Sequence, residues 1–195
     1  MKKILKLVLI IVILATVGFA IFKFYEKEEQ NAENTVVGDV VQGEIERVDA
    51  DTNTFVHKGY GFSLNFPSNM TASNFREGEG EMVNFQSSEN GDWFQIYISS
   101  WNEEEGISAE RIRQDIPDIV ITTPQQVVIG PGQREGVGPV ALIFFSQDSG
   151  LGDTREIWFV YPEQGRGVAS FLYQITTYKR LDSMIGEVLS TLDFN

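Results

Sequence analysis

Residues 60–68 are Tyr-Gly-Phe-Ser-Leu-Asn-Phe-Pro-Ser, and their apolar side chains recur at every second position. Phe62, Leu64 and Phe66 therefore fall on one face of an extended chain, because successive side chains of a β-strand point to opposite faces. The residues between them are polar. This period of two predicts a strand that is buried on one side only.

Further strands are predicted downstream, either by the same alternation or by continuous apolar runs. The runs at 140–145 and 157–161 are continuously apolar, which is typical of central strands buried on both faces. Glycine- and aspartate-rich turns separate the runs, so consecutive strands are expected to form hairpins. The predicted strands after residue 68 are 82–87, 94–98, 140–145, 157–161 and 168–176.

Two segments have the spacing of helices. Ser108 is a candidate N-cap for a helix that carries Ala109, Ile112 and Ile116 and ends before Pro117. A second helix is predicted by a stripe with the spacing i, i+3, i+4, i+7, i+8 and i+11. This stripe consists of Leu181, Met184, Ile185, Val188, Leu189 and Leu192. Hairpin-linked strands with few helices predict an antiparallel α+β domain at residues 53–195.

The two ends of this domain resemble those of the PsbP-like family. The opening motif is residues 60–68, and the closing motif is Leu-Ser-Thr-Leu-Asp-Phe at 189–194. Residues 171–176, Phe-Leu-Tyr-Gln-Ile-Thr, stand where that family has its last strand before the terminal helix. The resemblance implies an α/β/α sandwich of the Mog1/PsbP type with a central antiparallel sheet. It also implies an accessory, non-catalytic, membrane-anchored bacterial protein.

A hydrophobic segment precedes the domain. Residues 4–22 are apolar except for Lys6, and 19 helical residues span about 28 Å, close to the thickness of the hydrocarbon core. The basic residues before this segment place the N-terminus in the cytoplasm and the domain outside, according to the positive-inside rule. We therefore expect residues 1–25 to be an uncleaved, single-pass transmembrane helix. The alternative is a signal peptide that is cleaved after Ala20.

Residues 26–52 are rich in acidic and amide side chains, which predicts a solvated linker. The stretches 36–41 and 45–48 within it have the composition of a short strand that docks on the domain. Residues 26–195 contain all 28 acidic residues and 11 of the 15 basic residues, for a net charge of −17. Such a chain repels phosphate backbones, so nucleic acid is excluded as a partner. The absence of cysteine excludes disulfides, thiolate metal sites and a cysteine nucleophile.

The sequence offers few residues for catalysis, and no cofactor or metal site is predicted. His57 is the only histidine, and no serine lies in a nucleophile elbow, so we expect an exposed strand histidine rather than a catalytic triad. Residues 136–141 fit Gly-x-Gly-x-x-Ala, but Pro139 and a strand follow, which predicts a turn. Residues 49–60 lack the glycine and glutamate of a calcium loop. The acidic clusters at 77–81, 103–105 and 148–153 are each expected to be solvated loops, with weak binding of divalent cations as the alternative.

Trp93, Tyr97 and Trp101 have the spacing i, i+4 and i+8, which places them on one face of a strand. In a sandwich they would pack beneath a helix, whereas on an uncovered face they would form a platform for a sugar ring or a protein. The sequence predicts a non-enzymatic, membrane-tethered extracytoplasmic module that assists an envelope complex through a protein partner. The alternative is a cell-envelope glycan-binding module that uses these three aromatic residues. A hydrolase with paired carboxylates comes third.

Overall fold

Eleven antiparallel strands and two short helices make up the part of the chain that the structure describes. The structure is a computed structural model that describes residues 43–47, 51–103, 106–148, 150–163 and 168–194. The strands are β1 (Glu44–Arg47), β2 (Thr52–His57), β3 (Phe62–Pro67), β4 (Met70–Glu77), β5 (Gly80–Ser87), β6 (Trp93–Trp101), β7 (Thr122–Val128), β8 (Val140–Asp148), β9 (Gly152–Tyr161), β10 (Ser170–Tyr178) and β11 (Asp193–Phe194). The helices are α1 (Ala109–Asp115) and α2 (Asp182–Ser190).

The strands form two sheets that pack face to face. One sheet has four strands in the order β1-β2-β3-β11, and the other has seven in the order β4-β5-β6-β10-β9-β8-β7. Phe62, Leu64 and Phe66 of the smaller sheet are each at most 2% exposed, which confirms the one-sided strand predicted there. The Phe85 ring of the larger sheet lies 5.0 Å from the Phe66 ring, between ring centroids. The core therefore lies between the two sheets.

Helix α2 and strand β11 complete the layer that contains the smaller sheet. Ile185, Val188 and Leu189 of α2 are buried in the same core as the facing sides of the sheets. The Asn65 backbone N–H donates to the Thr191 hydroxyl oxygen at 2.9 Å, which ties the end of α2 to β3. The chain then forms β11, in which Phe194 pairs with Phe62.

Helix α1 covers part of the opposite face of the seven-stranded sheet. Its Ile112 packs on Phe144 and Trp158 in a second apolar cluster. The Ser108 hydroxyl oxygen accepts a hydrogen bond from the Arg111 backbone N–H at 3.1 Å, which confirms the predicted N-cap. A helix of seven residues is about 10 Å long, whereas seven strands side by side span about 29 Å. Among the described residues, helix α1 therefore covers only part of this face, and the part at Phe75, Gln86 and Trp93 stays accessible.

The predicted α/β/α sandwich is wrong, and so is the fold that the PsbP-like resemblance implies. The described chain is mostly β, with two sheets, and its helices have only seven and nine residues. An alternating strand shows that one face is buried, but it does not show whether a helix or another sheet covers that face. The strands near residues 52–67 were expected in a single central sheet, and they form the second sheet instead.

The predicted membrane anchor, residues 1–25, lies outside the described residues, as does most of the predicted linker at 26–52. The linker's described part includes β1, whose residues Glu44–Arg47 pair with residues 53–56 of β2. No helix within the described ranges has both the length and the hydropathy needed to cross a membrane.

Candidate functional site

The accessible part of this face of the seven-stranded sheet has a shallow concave site of about 300 Å³. We call it the β4–β6 groove. Its lining residues are Phe75, Glu77, Met82, Asn84, Gln86, Trp93, Gln95 and Leu151. Ligand sites in proteins usually measure about 300–1,000 Å³ and combine apolar walls with a few polar groups. The volume of the groove is at the lower end of this range, and its lining has the composition expected of a ligand site.

The period of two in strands β5 and β6 places the polar side chains in the groove. Val83 and Phe85 of β5 face the core, so Asn84 and Gln86 face outward. Phe94 and Ile96 of β6 likewise face the core, which turns the residues between them outward. In the register of the two strands, Asn84 lies opposite Gln95 and Gln86 lies opposite Trp93. Opposite residues of antiparallel strands have Cβ atoms about 4.5–5.5 Å apart, so the three amides and the indole are neighbours.

The apolar part of the groove consists of Trp93 and Met82, with Phe75 and Leu151 on its rim. Trp93 is half-buried, and its ring meets the Tyr178 ring edge-on at 5.2 Å between centroids. The Thr177 hydroxyl donates to the Trp93 carbonyl oxygen at 2.7 Å. Phe75 and Leu151 are each 37% exposed. The groove therefore offers an accessible aromatic ring that its neighbours hold in place.

Tyr97 lies beside the groove and supports the hairpin that carries Phe75 and Glu77. Its hydroxyl donates to the Glu77 carbonyl oxygen at 3.3 Å. Its ring passes so close to Gly80 that a Cβ there would lie 2.6 Å from the ring and 2.5 Å from the Ile98 carbonyl oxygen. Glycine at position 80 therefore allows the Tyr97 ring to lie against the β4–β5 hairpin.

The three aromatic residues that the sequence placed on one face share the outward face of β6, but they differ in how far they are covered. Trp93 lines the groove and Tyr97 lies beside it, and both are half-buried. Trp101 is 7% exposed, and the guanidinium carbon of Arg111, in α1, lies 5.8 Å from its ring centroid. Arg111 is held by ion pairs with Glu103 and Asp115. Trp101 is therefore covered, and the accessible part of the predicted face is at Trp93 and Tyr97.

Sequence analysis missed most of the groove's other residues. Asn84, Gln86 and Gln95 carry a detectable signal, because each alternates with core residues and must face away from the core. Their position beside Trp93 depends on the register between β5 and β6, which the alternation does not show. Leu151 comes from the turn between β8 and β9, and no local pattern connects it to β6.

His57 was expected to be exposed, and this expectation is wrong, because the residue is 1% exposed. Its Nε2 lies 2.8 Å from Glu81 Oε1, and the Asn74 amide donates to the same oxygen at 2.9 Å. The Tyr60 backbone N–H donates to His57 Nδ1 at 3.2 Å. Since Nδ1 accepts a hydrogen bond, the ring proton is assigned to Nε2, which donates to Glu81. No local pattern indicates that β2 faces another sheet here, and the expectation of a solvated loop at 77–81 is wrong for Glu81, which is 6% exposed.

A second buried carboxylate, Glu156, lies on the outer side of the seven-stranded sheet at 7% exposure. Its oxygens accept hydrogen bonds from the hydroxyls of Thr154 and Thr176, at 2.8 and 2.7 Å, and from Trp158 Nε1 at 3.2 Å. These donors belong to β9 and β10, so the carboxylate joins two strands. Both the Glu81 and the Glu156 carboxylates therefore have structural hydrogen bonds.

The described residues hold no group of three or more histidine and acidic side chains that are placed to bind a metal ion. In the predicted acidic loop at 148–153, Asp153 accepts a hydrogen bond from the Gln147 amide at 3.3 Å. The Lys179 ammonium also lies 3.8 Å from Asp153.

No protein-family model matches the chain, and no curated protein is detectably similar to it. The resemblance to the PsbP-like family therefore stays a prediction, based on the motifs at 60–68, 171–176 and 189–194.

Proposed function

We propose that this protein is a non-enzymatic extracytoplasmic binding module, tethered to the membrane through residues 1–25, that engages its ligand in the β4–β6 groove. The observation that carries the proposal is the accessible part of the outer face of the seven-stranded sheet. There an accessible indole, three amides and two apolar rim residues surround one concavity. Contiguous exposed apolar surface with polar groups around it is typical of binding sites.

The buried acid and base groups support a binding role over a catalytic one. His57 is 1% exposed and bonded on both ring nitrogens, so a substrate does not reach it. A general base must come within hydrogen-bond reach of the proton that it removes. The carboxylates of Glu81 and Glu156 are 6–7% exposed as residues and accept hydrogen bonds from neighbouring side chains. These groups stabilise the sheets.

The charge of the chain restricts the kind of partner. Residues 26–195 carry a net charge of −17, which disfavours association with nucleic acid and with anionic lipid headgroups. The ligand is therefore neutral or basic. With the hydrophobic N-terminal segment as its membrane anchor, the domain acts as an accessory module of a membrane or envelope complex.

Site-specific photo-cross-linking in cells tests this proposal. A photoreactive residue is placed at Gln86, which is exposed in the groove, or at Glu187, which is exposed on α2 in the other layer. We expect a discrete adduct from position 86, lost when Trp93→Ala is added, and none from position 187. Equal labelling from both positions, or no adduct from position 86, contradicts the proposal.

A further inference from the structure

We propose that the β4–β6 groove binds a neutral saccharide, with one sugar ring against Trp93 and its hydroxyl groups on the amides of Asn84, Gln86 and Gln95. The proposal rests on the groove's proposed function and gives it a ligand class. It follows from the composition of the lining, the spacing of the groups, their charge and their fixed positions.

The lining residues match the two chemical sides of a sugar. A pyranose ring has a face of C–H groups and a rim of hydroxyl groups, each of which both donates and accepts a hydrogen bond. Trp93 offers an accessible aromatic ring, and Phe75 and Leu151 extend the apolar surface. A side-chain amide has an acceptor oxygen and an NH₂ donor, so it can pair with a hydroxyl in both directions.

The spacing of these groups suits a single ring. Asn84 lies opposite Gln95, and Gln86 lies opposite Trp93. Opposite residues are about 5 Å apart across antiparallel strands, and successive residues on one face are about 7 Å apart along a strand. The indole and the amides therefore occupy the corners of a patch about 5 by 7 Å, comparable with one sugar ring and its hydroxyl groups.

The charge of the groove favours a neutral ligand over an anionic one. Of the described residues that line it, Glu77 is the charged one, and it is acidic. A carboxylate accepts strong hydrogen bonds from hydroxyl groups but repels phosphates, sulfates and uronic acids. The amides and the indole of the groove also lie on the face of the paired strands β5 and β6 rather than along the free edge of β4. A peptide that binds by adding a strand needs an edge, so the saccharide is favoured over an extended peptide.

Two parts of the groove, Trp93 and the backbone at Glu77, are held in place by their neighbours. Tyr178 and Thr177 hold Trp93, and the Tyr97 hydroxyl holds the Glu77 carbonyl. Groups that are already fixed lose little conformational entropy when a ligand binds. A few hydrogen bonds and one ring contact therefore suffice for measurable affinity.

The test uses the full chain in nanodiscs of phosphatidylcholine, which avoids sugar-based detergents. Tetrasaccharides of glucose, mannose, galactose and N-acetylglucosamine are titrated by calorimetry, with tetragalacturonate as the anionic counterpart. We expect at least one neutral tetrasaccharide to bind and tetragalacturonate not to bind. Trp93→Ala should weaken binding at least about tenfold and Gln95→Leu about fivefold. Trp93→Phe should retain most of the affinity.

Trp101→Phe is the matched control, because this tryptophan lies on the same strand face under α1, outside the groove. Its Kd should stay within about twofold of the parent, as expected for a residue without ligand contact. If Trp93→Ala does not fold, the exposed Gln86→Ala replaces it, with an expected loss of about fivefold.

Three results overturn the saccharide proposal. The first is that none of the four neutral tetrasaccharides binds at millimolar concentration. The second is that tetragalacturonate binds as tightly as the neutral saccharides. The third is that the groove substitutions leave binding unchanged. The cross-linking experiment separates this failure from failure of the proposed function. If position 86 gives a protein adduct but no saccharide binds, the proposed binding module still stands and its ligand is a protein.

Discussion

His57 Nε2 lies 2.8 Å from Glu81 Oε1, and this contact joins the four-stranded sheet to the seven-stranded sheet. Asn74 donates to the same carboxylate oxygen at 2.9 Å. The pair lies beside the aromatic core, with the Phe62 ring stacked 5.3 Å from the histidine ring. A one-residue slip of β2 or β5 would leave these polar groups unpaired in the core, which is energetically costly. The contact therefore fixes the alignment of the two sheets.

Removal of the Glu81 carboxylate should destabilise the protein. Glu81→Ala leaves the His57 N–H and the Asn74 amide without their acceptor, and unsatisfied buried groups cost about 1–3 kcal/mol each. Urea unfolding followed by tryptophan fluorescence measures the change. Glu81→Gln keeps one acceptor oxygen and should lose less. Equal stability of parent and Glu81→Ala would show that the contact has no energetic role.

A fragment that begins at residue 40 should fold alone and without metal. Residues 40–195 form one compact unit, and β1 pairs with β2 through four residues. The fragment 53–195 lacks β1 and leaves an edge of β2 unpaired, so its urea midpoint should be lower. Both midpoints should be unchanged by a chelator. A chelator-dependent transition in the longer fragment would contradict this expectation.

Truncation of α2 side chains should show that this helix is part of the core. Ile185 and Leu189 are 3% and 6% exposed, and large-to-small changes at such positions cost about 2–5 kcal/mol. We expect Ile185→Ala and Leu189→Ala each to lower the free energy of unfolding by that amount. Glu187→Ala, on the exposed side of the same helix, should change it by less than about 0.5 kcal/mol. Similar effects at all three positions would mean that the helix does not pack as described.

Two glycine substitutions should have opposite effects. A Cβ at Gly80 would lie 2.5 Å from the Ile98 carbonyl oxygen, so Gly80→Ala should displace the β4–β5 hairpin and destabilise the protein. Gly186 is inside α2 with no heavy atom within 4 Å of an added Cβ. Gly186→Ala should therefore stabilise by about 0.5–1 kcal/mol, the helix preference of alanine over glycine. Thermal unfolding of both variants measures the signs, and a shift in the same direction for both would refute the prediction.

Stability should decline in alkaline solution. Burial raises the pKa of the Tyr173 phenol, and burial together with the charge of Glu81 raises the pKa of Tyr60. The native state then keeps a proton that the unfolded chain releases near pH 10. The free energy of unfolding therefore keeps its full value below about pH 10. Above that pH, Tyr173 alone should lower it by up to about 1.4 kcal/mol per pH unit.

Urea unfolding at several pH values above and below 10 measures this slope. Tyr173→Phe removes one titrating group, so its stability should fall less steeply with pH than that of the parent. Identical slopes for the two proteins would mean that groups other than Tyr173 cause the loss of stability above about pH 10.

Sequence patterns predicted the strands that carry alternating or continuous apolar side chains. Phe94, Ile96 and Ile98 are each at most 1% exposed, as their alternation indicates. Strand β4 was not predicted, because its inner face includes the polar Asn74, which interrupts the apolar alternation. Strand β7 was not predicted either, because five of its seven residues are exposed. These two strands are the edges of the seven-stranded sheet, where the apolar signal is weakest.

The layers and the groove depend on contacts that are distant in sequence. His57 meets a carboxylate 24 residues away, on a different sheet, so no local spacing indicates its burial. The Trp93 and Tyr97 spacing did predict a shared strand face. The seven-residue length of α1 decides which part of that face is covered, because Trp101 lies under it and Trp93 does not.

The pairing of Phe194 with Phe62 makes completion of the smaller sheet a late event in biosynthesis. Strands β1, β2 and β3 are synthesised early, but the sheet is not closed until residue 194 has been synthesised. A nascent chain that stops before β11 leaves one edge of β3 unpaired and removes a ring that lies against Tyr161 and Tyr173. Unpaired strand edges promote aggregation and attract proteases. The two residues of β11 thus make the pairing of β3 depend on a segment more than 120 residues further along the chain.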